Sequence, residues 1–479
     1  MRAGQPILTT GLVALLAVVL AGCEAGAHAG APRTPTAPRN GSPTSTTLRG
    51  FWVSEGYGYQ FEILADDELV RSQITSVSCI PTWRARIIAR DDSSLTYQRV
   101  DSPAVFVVRR DASPDRIRIH PTETASEIVV DRLDGALPVC QRTTPDTPGS
   151  NFDVFVATFA ELYPFFAEHG VDWEAVVAAA RRKVNPSTKP SELYDLMQGM
   201  LTPLQDAHVT LTAPTLDTPD DGRGYAGFRF GPGVIDPADW DRVRQITDRY
   251  LTGPVRTFCE NQIAFGMLPD GIAYLRLHSF AGYTHDGSFE SGLGVLDAAL
   301  DVIFAEAQRW RGLVIDVRTN EGGADPYGLA VAVRLTASAY VAYAKEVWLG
   351  PKSPSRWTSG VPSVIKPTAR PGYHGPVSLL IGPDTISAGE TFTQALIERR
   401  PEVARVGQNT QGVFSDVMAR RLPNGWTIGV PTERFVTRAR SFDVIGIPPT
   451  IFVPVFAPSD VAAGRDAALE AALAHLRAG

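Results

Sequence analysis

Residues 376–400 read PVSLLIGPDTISAGETFTQALIERR, and the reading of this stretch decides the fold of the C-terminal half. Val377–Ile381 is a continuous apolar run of strand length, the pattern of a buried parallel strand. Gly382-Pro383-Asp384 breaks the run, and from Ala388 the apolar residues Phe392, Ala395 and Leu396 recur at helical spacing. Ser387 therefore stands on a strand–turn–helix hinge, where free backbone N–H groups and the helix dipole stabilise negative charge. Ser387 with Glu390 is equally a capping box, S-x-x-E, which needs no chemistry. The nucleophile elbow G-x-S-x-G is half matched, because Thr385 holds its first glycine position.

Outward from this stretch the pattern is α/β. Apolar strands are expected at 272–277, 313–317 and 451–455, with helical stretches at 294–310 and 327–335. The strand ending in Asp316-Val317-Arg318 runs into Thr319-Asn320-Glu321-Gly322-Gly323-Ala324. A glycine pair after a buried strand lets backbone N–H groups approach a ligand with no Cβ in the way. Neither G-x-x-x-x-G-K-[ST] nor G-x-G-x-x-G is present, so a phosphate loop is the poorer use. Gly322 or Gly323 with the N–H of Ala388 would instead form an oxyanion hole. The plain alternative is a turn that closes the strand.

Toward the N-terminus the chain changes character three times. Residues 1–22 have the form of a signal peptide, with Arg2 ahead of an apolar run at 7–20 that is short for a membrane span. Residues 23–48 are rich in Ala, Pro, Ser, Thr and Gly and read as a flexible tether. Residues 49–142 read as a small antiparallel barrel or sandwich, with Tyr57, Tyr59, Phe61 and Ile63 in strand alternation. Cys79 and Cys140 bracket most of that block and would form a bridge in an oxidising compartment, the alternative being two separate buried thiols. Cys259 has no evident partner, and four cysteines without C-x-x-C spacing do not make a metal site.

Residues 151–215 read as a helical segment and 216–479 as the α/β core. Asp172 caps one helix, Ser191 opens another, and His208 falls at a helix-to-strand corner in LQDAHV. A lone histidine is more often a satisfied structural residue than a base. Residues 215–237 are Gly-, Pro- and Asp-rich and read as a loop over a site. Phe414 and Trp426 are candidates for a cleft, with buried core the plainer reading. The formal net charge of −7 argues against nucleic acid as a partner.

Taken together, GLVIDVRTNEGG and LLIGPDTISAGETF resemble the tail-specific (C-terminal processing) and tricorn-like serine peptidase family. GIAYLRLHSF before them and GIPPTIFV after them look like landmarks of the same family. The resemblance implies a crotonase-like (ClpP/crotonase-type) α/β core beside a helical segment, here preceded by a small all-β domain. It implies Ser387 as nucleophile, the Gly pair with Ala388 as oxyanion hole, peptide or protein substrates, and no metal or organic cofactor. The lysine base of the processing peptidases has no counterpart, since Val413 stands in its place and no lysine follows Lys366. No PDZ domain is visible between His208 and Gly271.

Tricorn-like members use an upstream histidine and a downstream acid, places taken here by His208 and Asp443. The family often has glutamate where Asp443 stands, and Thr450 replaces a usual aspartate. Should Asp443 not serve, Glu433, Asp416 and Glu390 are the next acids. A histidine base implies activity that titrates at roughly pH 6 to 7.5. LAGC at 20–23 resembles the lipobox of bacterial lipoproteins, which implies lipidation of Cys23, membrane attachment through the N-terminal lipid and an extracytoplasmic location. A secretory signal with Cys23 incidental is the alternative. The same fold resembles retinoid-binding modules, so a non-catalytic binding module for an apolar ligand or peptide is the rival reading.

Overall fold

The computed structural model describes residues 48–216, 225–226, 236, 239–353 and 355–478. Cys23, the signal and tether segments and most of the 215–237 loop lie outside the described residues. The first eight strands are β1 (Gly50–Ser54), β2 (Tyr59–Ile63), β3 (Leu69–Ile74), β4 (Cys79–Arg90), β5 (Ser94–Arg99), β6 (Val105–Arg110), β7 (Arg116–Pro121) and β8 (Ile128–Leu133). Each pairs antiparallel with the next and β8 returns to β1, so a barrel closes and removes its own sheet edges. Alternation puts Trp52, Phe61, Tyr97, Val108 and Ile119 inside it. A disulfide joins Cys79, at the start of β4, to Cys140 beyond β8. Tyr57 departs from the expected alternation: it lies in the turn before β2, with φ +57°.

Three helices follow, α1 (Pro148–Leu162), α2 (Trp173–Arg181) and α3 (Pro190–Leu201). Phe152, Phe155 and Phe159 form the buried face of α1, and Asp172 caps α2 by accepting from the Ala175 N–H at 3.0 Å. The chain then runs through β9 (Thr210–Thr212), β10 (Tyr225–Ala226), α4 (Trp240–Asp248), β11 (Arg256–Phe258), β12 (Ile263–Leu268), β13 (Ile272–Leu277), α5 (Phe289–Phe304), β14 (Gly312–Asp316) and α6 (Asp325–Val333). It continues with β15 (Tyr340–Val347), β16 (Val361–Ile365), β17 (Val377–Ile381), α7 (Ala388–Ala395), β18 (Val403–Gly407), β19 (Val417–Arg421) and β20 (Thr427–Pro431). Last come β21 (Glu433–Thr437), β22 (Arg440–Ser441), β23 (Ile451–Phe452), α8 (Pro458–Ala463) and α9 (Ala467–Ala478).

The main sheet has the order β11-β12-β13-β14-β17-β18-β23 and is parallel from β13 onward. Helices cover both of its faces, which is why β14 and β17 are buried at every position. Leu379 faces the core that contains Leu300 of α5 and Phe392 of α7, whereas its neighbour Leu380 faces Leu469 and Leu473 of α9. Truncating Leu380 to alanine would cost about 2–5 kcal/mol, the range for a buried leucine.

Two four-stranded sheets stand beside the main one, β10-β9-β20-β19 and β16-β15-β21-β22. The barrel core is continuous with that of α1–α3 and of β19 and β20. Polar contacts fix the register of this junction. The fully buried Arg420 donates to the carbonyls of Tyr57 and Gly58, each at 3.0 Å, and of Ile74 at 2.8 Å. The Gln73 amide bonds both the N–H and the carbonyl of Arg421.

Candidate active site

Ser387 precedes α7 with φ +56° and ψ −120°, a backbone state that non-glycine residues rarely adopt. Hydrogen bonds hold it there. Thr385 Oγ1 donates to the Val317 carbonyl at 2.8 Å and so ties the hinge to the end of β14. The Ser387 N–H donates to the Val413 carbonyl at 3.1 Å and also lies 3.3 Å from Glu390 Oε2. Glu390 is wholly buried and accepts from the N–H groups of Gly412 (2.7 Å) and Val413 (2.8 Å). Burial pushes its carboxyl up to about 7 against the pull of those donors.

The glycine pair packs directly on this hinge. A Cβ on Gly322 would lie 2.6 Å from the Cβ of Ser387 and 3.0 Å from the Ala388 nitrogen, and φ here is +93°. Only glycine fits. The Gly322 N–H is already donated to Asn320 Oδ1 at 2.8 Å, which corrects the expectation that either glycine could serve as an oxyanion donor. Phe280 pairs with the flanking groups, its N–H with the Gly322 carbonyl and its carbonyl with the Ala324 N–H, both at 2.8 Å. The N–H groups of Gly323 and Ala388 have no hydrogen-bond acceptor among the described residues.

His208 is reached from the other side. It precedes β9, and its backbone N–H donates to Asp206 Oδ1 at 2.8 Å, while Tyr163 donates its hydroxyl to Asp206 Oδ2 at 3.0 Å. Burial raises the Asp206 carboxyl to about 6. The imidazole itself is 2% exposed. That burial lowers its pKa to about 4, although the Asp416 carboxylate and a bond to the Ser415 backbone both favour the charged ring. The expected titration at 6 to 7.5 is therefore displaced to the acid side. Nδ1 of His208 is buried without a hydrogen-bond partner.

Residues 410–416 connect the two sides. Gly412 and Val413 bond Glu390, Val413 accepts from Ser387, Ser415 bonds His208, and the Gly412 carbonyl accepts from the Val444 N–H at 2.7 Å. That last bond places Asp443, the preceding residue, at the same loop. Asp443 is half-buried, and its carboxyl is pushed up to about 8, first by burial and further by Glu390. Its Oδ2 accepts from the Ser441 hydroxyl, and its Oδ1 is buried with no partner. No hydrogen bond or ion pair joins Asp443, His208 and Ser387 to one another in this state.

Sequence reasoning missed Lys345. Its Nζ lies 2.6 Å from Asp416 and 2.9 Å from Glu433 and is almost wholly buried. Burial would lower its pKa, but the two carboxylates raise it well above the usual value, so Lys345 is a fixed cation and no base. Only its alternation on β15 with apolar neighbours hinted that it points inward. Phe414 and Trp426 are core residues, each 1% exposed. Cys259 is a buried free thiol raised to about 11 by its surroundings. Among the described residues no helix is long and apolar enough to cross a membrane, and no cluster of three or more metal-ligating side chains occurs.

The model of peptidase family S41 matches residues 271–453. No curated protein matches the chain. Among solved structures, a candidate peptidase from Parabacteroides merdae ATCC 43184 is 24% identical, with a TM-score of 0.58, over 69% of this chain and 97% of its own. Mature CPAF is 14% identical, with a TM-score of 0.51, over 66% of this chain and 94% of its own. At these identities the two structures share the fold.

Proposed function

We propose that this chain, a serine peptidase that carries a peptidase family S41 domain over residues 271–453, is an endopeptidase acting outside the cytoplasm with Ser387 as nucleophile. Ser387 Oγ attacks the peptide carbonyl and His208 takes its proton. The N–H groups of Gly323 and Ala388 receive the oxyanion, and His208 returns the proton to the leaving amine. Asp443 orients the imidazole. The support for that role is the pair of buried, unpartnered atoms, His208 Nδ1 and Asp443 Oδ1, that a triad would join. Hydrogen bonds of a catalytic triad are often long before substrate binds. The core is of the crotonase-like type, with substrate at the carboxyl ends of β14 and β17.

One observation carries the reading: a serine held at positive φ on a helix N-terminus, with a glycine as its only tolerable neighbour. The test is mass spectrometry of peptides released by the wild type and by Ser387→Ala. Cleavages that vanish in the variant support the reading; identical peptide sets refute it, and a binding module is then the better account. Lipidation of Cys23 would hold the enzyme at a membrane. Cys23→Ser should release it from the detergent phase, and a mature N-terminus other than Cys23 would sink that part.

A further inference from the structure

Tyr57 sits in the turn between β1 and β2 with φ +57°, flanked by Gly56 (φ +72°) and Gly58 (φ +60°). The turn is pressed onto the core: a Cβ on Gly56 would lie 2.6 Å from the Val347 side chain and 2.9 Å from the Trp348 carbonyl. Arg420 clamps it through the carbonyls of Tyr57 and Gly58. Such a strained turn persists only where its surroundings over-determine it. It delivers the Tyr57 hydroxyl to Glu433 Oε1 at 2.6 Å, inside the peptidase core.

Glu433 is the buried end of a short chain whose other end, Asp416, has a side chain 37% exposed. Its Oε2 accepts from the Asp416 N–H at 2.9 Å, and its Oε1 pairs with Lys345 at 2.9 Å. Lys345 also pairs with Asp416 at 2.6 Å. Asp416 is the carboxylate that favours the protonated form of His208. One lysine charge is thus divided between two carboxylates, and the barrel hydroxyl supplies the further donor that the buried one requires. Asp325, held by Thr391, and Tyr343 face Lys345 from α6 and β15. Asp416 is the charged group that acts on the imidazole.

We propose that Tyr57 is a positioning residue of the peptidase site: the barrel inserts its hydroxyl to hold Glu433 as a partner of Lys345, so that Lys345 stays shared between Glu433 and Asp416 and does not turn wholly to Asp416, the carboxylate nearest His208 in its effect. Without the hydroxyl, Lys345 turns wholly to Asp416, and the imidazolium formed during catalysis loses support. The inference rests on His208 being the base.

The test uses the full chain with Tyr57→Phe, Glu433→Gln and the double variant, each checked for folding by thermal unfolding. Tyr57→Phe should lower kcat by about tenfold with KM little changed, the low end of the range for groups that act on a functional side chain through others. The fall in kcat/KM on acidification toward pH 4 should also become shallower, because the base holds its proton less well. Glu433→Gln should do the same, and the double variant should cost no more than the larger single. A wild-type pH profile and kcat in Tyr57→Phe, with Ser387→Ala inactive, would overturn the inference and leave the peptidase reading standing. Cleavage retained in Ser387→Ala would remove that reading itself. If Tyr57→Phe does not fold, Glu433→Gln is judged by the same criteria.

Discussion

The proposed nucleophile side and the proposed base side of this site are built by different means. Ser387 is held by backbone: N–H groups converge on Glu390, a carbonyl takes the serine N–H, and a glycine fills the space beside it. His208 is held by burial and charge, with one ring nitrogen unpartnered and a carboxylate–lysine chain behind it. Backbone bonds fix position and tolerate few substitutions. Buried charge sets protonation and can be tuned one residue at a time. Loss of a group on the first side should therefore remove activity at every pH, and loss on the second should also change how activity depends on pH.

The largest effects probe whether the two sides work as a unit. Ser387→Ala and His208→Ala should each reduce kcat by about 10⁴ to 10⁶, and the double variant little further, since members of one triad are strongly non-additive. Additive losses in steady-state peptide cleavage would separate the two sides. Asp443→Asn should lower kcat by up to about 10⁴ yet stabilise the fold near neutral pH. The sign follows from its raised folded pKa of about 8 against 3.8 for the model residue. The stability that Asp443 contributes is fully present below its unfolded pKa and lost as pH rises through the folded value. Asparagine imitates the neutral form throughout, so its advantage should be absent near pH 4 and reach on the order of 4 kcal/mol at neutral pH. Denaturant unfolding across pH measures it. Unchanged turnover in Asp443→Asn would pass the acid's role to Asp416.

Gly322→Ala comes next, with a loss of about 10² to 10³ in kcat from a displaced Ser387 and oxyanion hole. Its pH profile should keep the wild-type shape, and a changed shape would blur the distinction between the sides. Replacing Cys79 and Cys140 by serine should have the least effect on catalysis while costing roughly 4 kcal/mol of barrel stability on the loop-entropy model. Calorimetry with and without reductant checks this.

The fold was legible where local pattern and tertiary role coincide. The apolar runs 377–381 and 272–277 are strands because both faces of the main sheet are covered. The hinge at Ser387 and the glycine pair were readable for a similar reason, since turn chemistry is local. The strands β15, β16 and β19–β22 were not read, because short mixed strands take stability from partners distant in sequence. Lys345, Asp416 and Glu433 meet only through β15–β21 pairing and the β19–β20 hairpin, and Tyr57 reaches Glu433 from 376 residues away. No spacing rule carries such a contact.

On the proposed mechanism His208, buried and poised to accept a proton, activates Ser387. The direct measurement is the rate at which a fluorophosphonate labels Ser387 as a function of pH. Label is expected on Ser387 alone, with a single titration whose midpoint lies near pH 4 and with loss of labelling in His208→Ala. Equal labelling of Ser387→Ala or of His208→Ala, or a midpoint at or above that of an ordinary histidine, would contradict it.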